Sequence, residues 1–155
     1  MPQHQATIHW TCQGPSFAKG QYSREHTWTF DGGVTVAASP SPAVVPTPWS
    51  NPAGVDPEEA LVAAAASCHM MTFLWLAGKA GWRVAQYDDT AIGHLAKNAA
   101  GAWWISEIVL HPIISYEGPA PDAAALAALH EQAHHTCFIA NSLKSTIRVA
   151  APPTS

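Results

Sequence analysis

Apolar and polar residues alternate along two stretches near the start of the chain, residues 6–12 and 22–30. A period of two is typical of half-buried strands, in which successive side chains point to opposite faces. Asp31-Gly32-Gly33 follows the second stretch and predicts a tight turn into a third strand over residues 34–36. The chain is therefore predicted to begin with strands, two of which form a hairpin.

A proline-rich loop and a long helix are predicted next. Residues 39–55 contain five prolines, too many for regular secondary structure, and a loop of this length in a compact domain is usually functional. Asp56 then provides an N-cap, Pro57 suits the first turn, and Glu59 completes an Asp-x-x-Glu capping box. The helix continues to about residues 78–81. Because it is apolar on every side, we expect it to be buried on every side, in the centre of the molecule or of a dimer.

The second half of the chain mixes strands and one more helix. Residues 83–97 and 102–117 are predicted to form two long strands. A helix begins at Pro121-Asp122 and ends near Cys137, and residues 144–149 alternate as a last strand. This order predicts an α+β fold rather than repeated βαβ units. The length of 155 residues predicts one domain that spans residues 1–155.

Composition narrows the classes of function. Charged residues make up only 12% of the chain and hydrophobic residues 48%, which indicates a surface partly covered by another subunit. Core packing is the simpler interpretation for most of the seven tryptophans. The net charge of −4 argues against nucleic acid as a partner. No apolar run approaches the roughly 18 residues that span a bilayer, and no signal peptide is visible, so we expect a cytoplasmic protein without a membrane partner.

Cysteine usage gives the first indication of chemistry. Three cysteines, an odd number, do not form a secreted disulfide framework. Cys68 and Cys137 are 69 residues apart, so no short CxxC unit contains both, yet each ends a helix-like segment. Taken by itself, Cys68 is most simply a small buried hydrophobic residue, and Cys12 a packed strand residue. The polar neighbours of Cys68, Ser67 and His69, favour the alternative that two thiols meet for redox chemistry.

Arg24 is the second indication of a site. In a strand over residues 22–30, the alternation puts Arg24 and His26 on the same face as three aromatic side chains. A charge on an apolar face is costly unless it is paired. The side chain extends to solvent at the strand end, is shifted by a one-residue bulge, or holds its guanidinium in an apolar pocket. In the last case it would lower the pKa of a nearby thiol and favour the thiolate.

Glu58 is a candidate partner for that arginine. A carboxylate in the first turn of a helix is already explained by the helix dipole. Glu58 precedes Cys68 by ten residues, which in a straight helix is about 15 Å of rise and about 80° of rotation. The two side chains therefore cannot share one site within one straight helix. Either the helix is broken, or Glu58 approaches the thiol across a subunit interface.

A metal site is a weaker alternative. His134, His135 and Cys137 are types of residue that bind zinc, with Cys68 or His69 as further candidates. Adjacent histidines point in different directions, however, and the chain has no second paired-ligand motif. The predicted site therefore contains no metal.

Two sequence segments and the order of the strands resemble those of a known family. The Asp-Pro-Glu-Glu-Ala-Leu-(x)6-Cys segment ending at Cys68, the Cys-x-x-x-Asn-Ser-Leu segment from Cys137, and the strand order resemble the OsmC/Ohr proteins, the osmotically inducible and organic hydroperoxide resistance proteins. The similarity covers nearly the whole chain. It implies an OsmC-like α+β fold, an intertwined homodimer with central cysteine-bearing helices flanked by antiparallel sheets.

The resemblance also implies a set of roles. Family members with an assigned function are thiol peroxidases that reduce organic hydroperoxides. Cys68 would be the peroxidatic cysteine and Cys137 the resolving one. Arg24 would be the catalytic arginine that holds Cys68 as thiolate, and Glu58 would orient Arg24. The implied reaction needs no cofactor. It passes through a Cys68 sulfenic acid and a Cys68–Cys137 disulfide, which an external dithiol such as a lipoyl protein reduces.

Two features differ from the family pattern. Phe138 follows the second cysteine, where many relatives have proline, and the loop over residues 39–55 is long and proline-rich. Both changes lie at the predicted mouth of the site.

Two alternative classes of function stay open. One is a non-catalytic dimeric protein that binds a small apolar ligand, and the other is a metal-binding module that uses His134, His135 and the cysteines.

Overall fold

The computed structural model describes residues 1–151, in which eight strands and three helices form two compact units, Met1–Ala60 and Leu61 onward. In chain order the elements are β1 (Ala6–His9), β2 (His26–Phe30), β3 (Thr35–Ala38), α1 (Pro57–Lys79), β4 (Val84–Asp89), β5 (Ile92–Lys97), β6 (Trp103–Leu110), β7 (Pro112–Tyr116), α2 (Ala123–Thr136), α3 (Phe138–Ser142) and β8 (Thr146–Val149). The α+β class is confirmed, whereas the single domain over residues 1–155 stays a prediction.

The first unit contains an antiparallel sheet in the order β1-β2-β3. The predicted turn between β2 and β3 is confirmed. The Gly33 amide donates to the Phe30 carbonyl at 2.9 Å, and Gly33 has a φ of 85°, a conformation that favours glycine. Strand β2 begins only at His26, so the prediction of a strand from residue 22 was wrong. The reason is that β1 pairs only as far as Thr27, and the preceding residues bond instead to loops: the Ser23 amide to Gln13 and the Arg24 amide to Trp49.

Helix α1 begins as the sequence predicts. The Asp56 carboxylate accepts a hydrogen bond from the Glu59 amide at 2.7 Å, and the Glu59 carboxylate accepts one from the Asp56 amide at 3.2 Å. This reciprocal pair is the capping box, and it satisfies two backbone donors that the first turn leaves free. The helix then runs without interruption to Lys79. By length and composition it could cross a membrane, a property it shares with core helices of soluble proteins.

A single chain does not bury α1 on every side, so of the two predicted places for this helix, only burial within a dimer stays a prediction. The buried residues of α1 recur every fourth position and form one narrow stripe: Ala65, His69, Phe73 and Ala77. Met71, Leu74 and Trp75 are 58%, 37% and 55% exposed. A helix that is apolar on all sides needs packing partners on all sides. The described residues of one chain cover the stripe and leave a large apolar face uncovered.

The second unit contains two sheets, β4-β7 and β5-β6-β8. Each of the two long predicted strands is divided in the structure, because the chain leaves one sheet and joins the other near Thr90 and His111. At this point the Asp89 carboxylate accepts a hydrogen bond from the His111 amide at 2.7 Å. The expectation of antiparallel sheets holds for every strand pair except β6 and β8, which run parallel.

Helix α2 also has the predicted start. The Asp122 carboxylate caps it by accepting a hydrogen bond from the Ala125 amide at 2.8 Å. Cys137 ends α2 and at the same time caps α3, a five-residue helix that the sequence did not predict. The Cys137 sulfur accepts a hydrogen bond from the Ala140 amide at 3.4 Å. The thiol is therefore fixed at the junction of two helices.

Two apolar clusters form the core of the second unit. One joins Ala65 of α1 to β6 and β8, and the other joins Phe73 and Ala77 of α1 to Leu129 and Ala133 of α2. None of the seven tryptophans is fully buried, so the prediction that most of them pack in the core was wrong. The clusters consist of smaller side chains, chiefly alanine, isoleucine and leucine.

The buried histidine in the α1 stripe makes folding dependent on pH. Burial, with His130 and His134 nearby, lowers the pKa of His69 from 6.5 to about 4. Below pH 6.5 the unfolded chain therefore binds a proton that the folded chain does not. The contribution of this histidine to the free energy of unfolding is complete above pH 6.5 and falls as the pH drops towards 4. We expect urea unfolding to show a loss of roughly 3 kcal/mol over this interval from this group. The variant His69→Gln should reduce the slope, and His9→Gln, at an exposed position, should not.

A cysteine pair as the candidate active site

The fold brings together the two cysteines that the sequence singled out. Cys68 is the middle residue of α1, and Cys137 lies at the junction of α2 and α3. Cys68 lies close enough to Cys137 to raise the pKa of the Cys137 thiol, and both cysteines are free rather than joined in a disulfide. Two helices from distant parts of the sequence thus place two reduced thiols side by side in the second unit.

The two thiols have different surroundings. Cys137 is 1% exposed, whereas Cys68 is only partly buried. Burial raises the pKa of the Cys137 thiol, hydrogen bonding to Cys68 raises it further, and the Ala140 amide acts in the opposite direction. Cys137 therefore stays protonated at neutral pH. Cys68 is the thiol that a molecule from solution can approach.

Arg24 lies in the first unit, just before β2 rather than on it. Its guanidinium donates hydrogen bonds at 2.7 Å to the carbonyl groups of Gly20 and Tyr22, and it lies 3.9 Å from the centre of the Tyr22 ring. These contacts keep the cation among aromatic groups without a carboxylate partner within 4.0 Å in the described residues. The prediction that Arg24 sits on the strand face was wrong, but a guanidinium held against an aromatic side chain was expected.

The guanidinium lies in the wall of an apolar groove of about 500 Å³ in the first unit. The groove also presents a cluster of aromatic rings in which Phe17 and Tyr22 stack at 4.5 Å and Trp10 meets Tyr22 edge-on at 5.6 Å. Its remaining lining is largely aliphatic and includes Ile8 and Val45. The arrangement combines one cation with a surface suited to an apolar organic molecule.

Glu58 lies in the first turn of α1 and is partly buried. No ion pair joins it to Arg24 among residues 1–151. Because α1 is continuous, Glu58 and Cys68 of one chain are separated by roughly 15 Å along the helix. Of the two possibilities left by the sequence, a broken helix is excluded, so a shared site would require Glu58 of a second chain.

The metal alternative gains no support from the geometry. The described residues contain no group of three or more potential ligands close enough to hold a metal ion. His134 and His135 lie edge to face at 5.7 Å, and His135 is 3.9 Å from Glu131. These are ordinary surface contacts of helix α2.

His69, the neighbour of Cys68 in the sequence, pairs with a second histidine, His130, that the sequence did not single out. The side chain of His69 does not face the thiols but bonds to His130 of α2, with 3.0 Å between Nε2 and Nδ1. Phe73 is fully buried and stacks on His130, while Phe138 beside Cys137 is 81% exposed. The sequence feature that could have pointed to His130 is its position on the apolar side of α2, next to Leu129.

Comparisons with known proteins identify the family of this chain. A family model described as OsmC-like protein matches residues 50–151, about two thirds of the chain. An OsmC-like protein of unknown function from Vibrio cholerae has 44% identical residues and a TM-score of 0.92, with coverage of 97% of this chain and 99% of that one. A search of curated proteins gave no significant match.

More distant structures share the fold. An organic hydroperoxide resistance protein from Elizabethkingia anophelis has a TM-score of 0.68 at 19% identity, covering 96% of this chain and 93% of that one. An organic hydroperoxide resistance protein from Legionella pneumophila has a TM-score of 0.65 at 13% identity, covering 97% and 98%. The family match and the close Vibrio cholerae relative settle the assignment: this chain belongs to the OsmC-like protein family.

Proposed function

We propose that this protein is a thiol-dependent peroxidase that reduces organic hydroperoxides. The observation that carries the proposal is the position of two reduced cysteines from distant parts of the chain: Cys68, which is partly accessible, lies close enough to the buried Cys137 to raise the pKa of its thiol. Two structural relatives are named organic hydroperoxide resistance proteins, which supports the same class of substrate.

The reaction needs only the two thiols and a reductant. The Cys68 thiolate attacks the O–O bond, takes one oxygen to become a sulfenic acid, and releases the other as an alcohol once it gains a proton. The Cys137 thiol then condenses with the sulfenic acid, forming the disulfide and releasing water. An external dithiol reduces the disulfide by two electrons and returns both thiols. A lipoyl group is one reductant of this class.

The roles of the two cysteines follow from their surroundings. Cys68 is the more accessible thiol, so it is the one that meets the peroxide. Cys137 is buried, protonated and close to Cys68. A resolving thiol in that position reacts within the chain as soon as a sulfenic acid forms. The short distance between the groups favours the disulfide over further oxidation.

Arg24 and Glu58 complete the proposed site. The guanidinium would stabilise the thiolate and the leaving oxygen, and Glu58 would orient it. Since one straight helix separates Glu58 from Cys68, we propose that the site forms in a homodimer. The uncovered apolar face of α1, formed by Met71, Leu74 and Trp75, is the surface that supports this proposal.

The substrate class follows from the apolar surroundings of Arg24. A groove with aromatic and aliphatic walls favours a hydroperoxide with an organic body over hydrogen peroxide. With a dithiol as reductant, the purified protein should consume an aryl hydroperoxide at least tenfold faster than hydrogen peroxide. Equal rates would contradict the substrate class, and absence of turnover with either would contradict the activity and favour a non-catalytic binding protein.

Replacing Arg24 with alanine should slow the first step by about 10²-fold to 10³-fold at neutral pH, the usual effect of losing one group that stabilises developing charge. The defect should be smaller at alkaline pH, where thiolate forms without help from a cation. Stopped-flow measurement of sulfenic acid formation between pH 6 and 10 gives both values. Arg83→Ala, which removes an exposed arginine paired with Glu117, is the matched control.

OsmC-like proteins are soluble, so helix α1 is the core helix of a soluble fold rather than a membrane span. The cytoplasmic location stays a prediction, and it agrees with a chemistry that starts from reduced thiols.

A further inference from the structure

A groove of about 440 Å³ opens in the second unit, away from the cysteine pair. Helix α2 forms one wall and strand β8 with the residues after it forms the other, while His69 of α1 lies between them. Neither Cys68 nor Cys137 lines it. Its walls are largely apolar, chiefly Leu110, Leu126, Ala127, Ile147 and Val149. The proposed peroxidase reaction makes no use of this groove.

A histidine pair supplies the polar part of the groove. His69 Nε2 and His130 Nδ1 are 3.0 Å apart, the two rings stack at 5.3 Å, and His130 stacks on Phe73 at 4.6 Å. These contacts fix both rings. His130 is 9% exposed and lines the groove. Its Nε2 has no partner in the described residues, yet it is not among their solvent-inaccessible polar atoms. This nitrogen is therefore presented to the groove.

The hydrogen-bonding property of that nitrogen depends on which histidine holds the shared proton. If His69 donates to His130, then His130 Nε2 carries a hydrogen and donates. If His130 donates to His69, then His130 Nε2 is a bare acceptor. A hydroxyl group satisfies either state, because it both donates and accepts. A carbonyl satisfies only the first.

The charged groups at the groove disfavour an anionic ligand. Arg148 lines it but is already bound to Glu107 at 2.7 Å. Glu131 also lines the groove and would repel an anion. Burial lowers the pKa of His130, so the histidine pair is neutral at physiological pH.

We propose that this groove binds an uncharged apolar molecule that carries a hydroxyl group, an alcohol or a phenol, hydrogen-bonded to His130 Nε2. A cavity of this size accepts a small organic molecule. The walls bury its apolar body, and the single polar group fixes its orientation. The proposal is independent of the peroxidase reaction.

The test compares 4-ethylphenol with 4-ethyltoluene, which have the same shape but differ in the hydroxyl group. Binding to the full chain is followed by NMR titration. One hydrogen bond should make the phenol bind about fivefold tighter. His130→Phe, which keeps an aromatic ring against Phe73, should remove the difference. Addition of the phenol to the wild type should shift the His130 Nε2 resonance, a readout that does not depend on the variant folding.

A second pair of variants locates the site. Ala127 and Ala128 are both exposed on α2, but only Ala127 lines the groove. Ala127→Trp should fill the groove and weaken both ligands at least tenfold, whereas Ala128→Trp should leave both affinities unchanged. Equal affinity of the two ligands for the wild type, no binding of either, or unchanged binding to Ala127→Trp would overturn the proposal. Cys68→Ser should leave the binding intact, which separates this site from the peroxidase reaction.

Discussion

Cys68→Ser should abolish peroxide consumption, because a serine hydroxyl cannot replace the thiolate that attacks the O–O bond. The fold should survive the change, since Cys68 is only partly buried and serine is close in size. Peroxide consumption under excess dithiol measures the effect. Cys12→Ser is the matched control: Cys12 is exposed and free, so its loss should leave the rate unchanged.

Cys137→Ser should give a different result from Cys68→Ser. One equivalent of peroxide should still oxidise Cys68, but no disulfide can form within the chain. The sulfenic acid should then persist or proceed to sulfinic acid as more peroxide is added. Mass spectrometry distinguishes these products by the number of oxygen atoms gained. Normal turnover of this variant would show that Cys137 is not the resolving thiol.

Leu74→Glu combined with Trp75→Glu should convert the protein from a dimer to a monomer. Leu74 and Trp75 lie on the apolar face of α1 that one chain leaves uncovered, and two chains could cover it together. A carboxylate buried in such an interface would be costly without a partner. Light scattering should give twice the chain mass of 16.4 kDa for the wild type and 16.4 kDa for the variant.

Activity should disappear together with the dimer if Glu58 of a second chain completes the site. Val34→Glu, at an exposed apolar position in the β2–β3 turn, is the control and should change neither mass nor activity. A wild-type protein that is monomeric at micromolar concentration would contradict both the dimer and the proposed place of Glu58. A fully active monomeric variant would contradict only the proposed place of Glu58.

Local signals predicted the helix starts well. The capping box at Asp56 and Glu59 and the N-cap at Asp122 are contacts between residues three apart, so the sequence contains both partners. The Asp31-Gly32-Gly33 turn is local in the same sense. Features that depend on distant partners were predicted less well. The division of the long strands near Thr90 and His111 depends on which sheet each half joins, and no residue pattern records that choice.

In the candidate site too, features that depend on distant partners were the harder ones to predict. The sequence pattern drew attention to Cys68 and Cys137, and the structure places them near each other; their roles stay a prediction. The direction of His69 was not, because its partner His130 is 61 residues away and lies on another helix. Coverage of every side of α1 is not seen in one chain. The hydrophobicity of a helix indicates how much of its surface must be covered, but not whether the same chain or another one covers it.

The central claim is that the fold places Cys68 and Cys137 together as a peroxidatic and a resolving thiol. Its most direct test is peptide mass spectrometry of the reduced protein after one equivalent of an aryl hydroperoxide. The account predicts one disulfide, between Cys68 and Cys137, with Cys12 still a free thiol. Unmodified cysteines, or a disulfide that involves Cys12 instead, would contradict it.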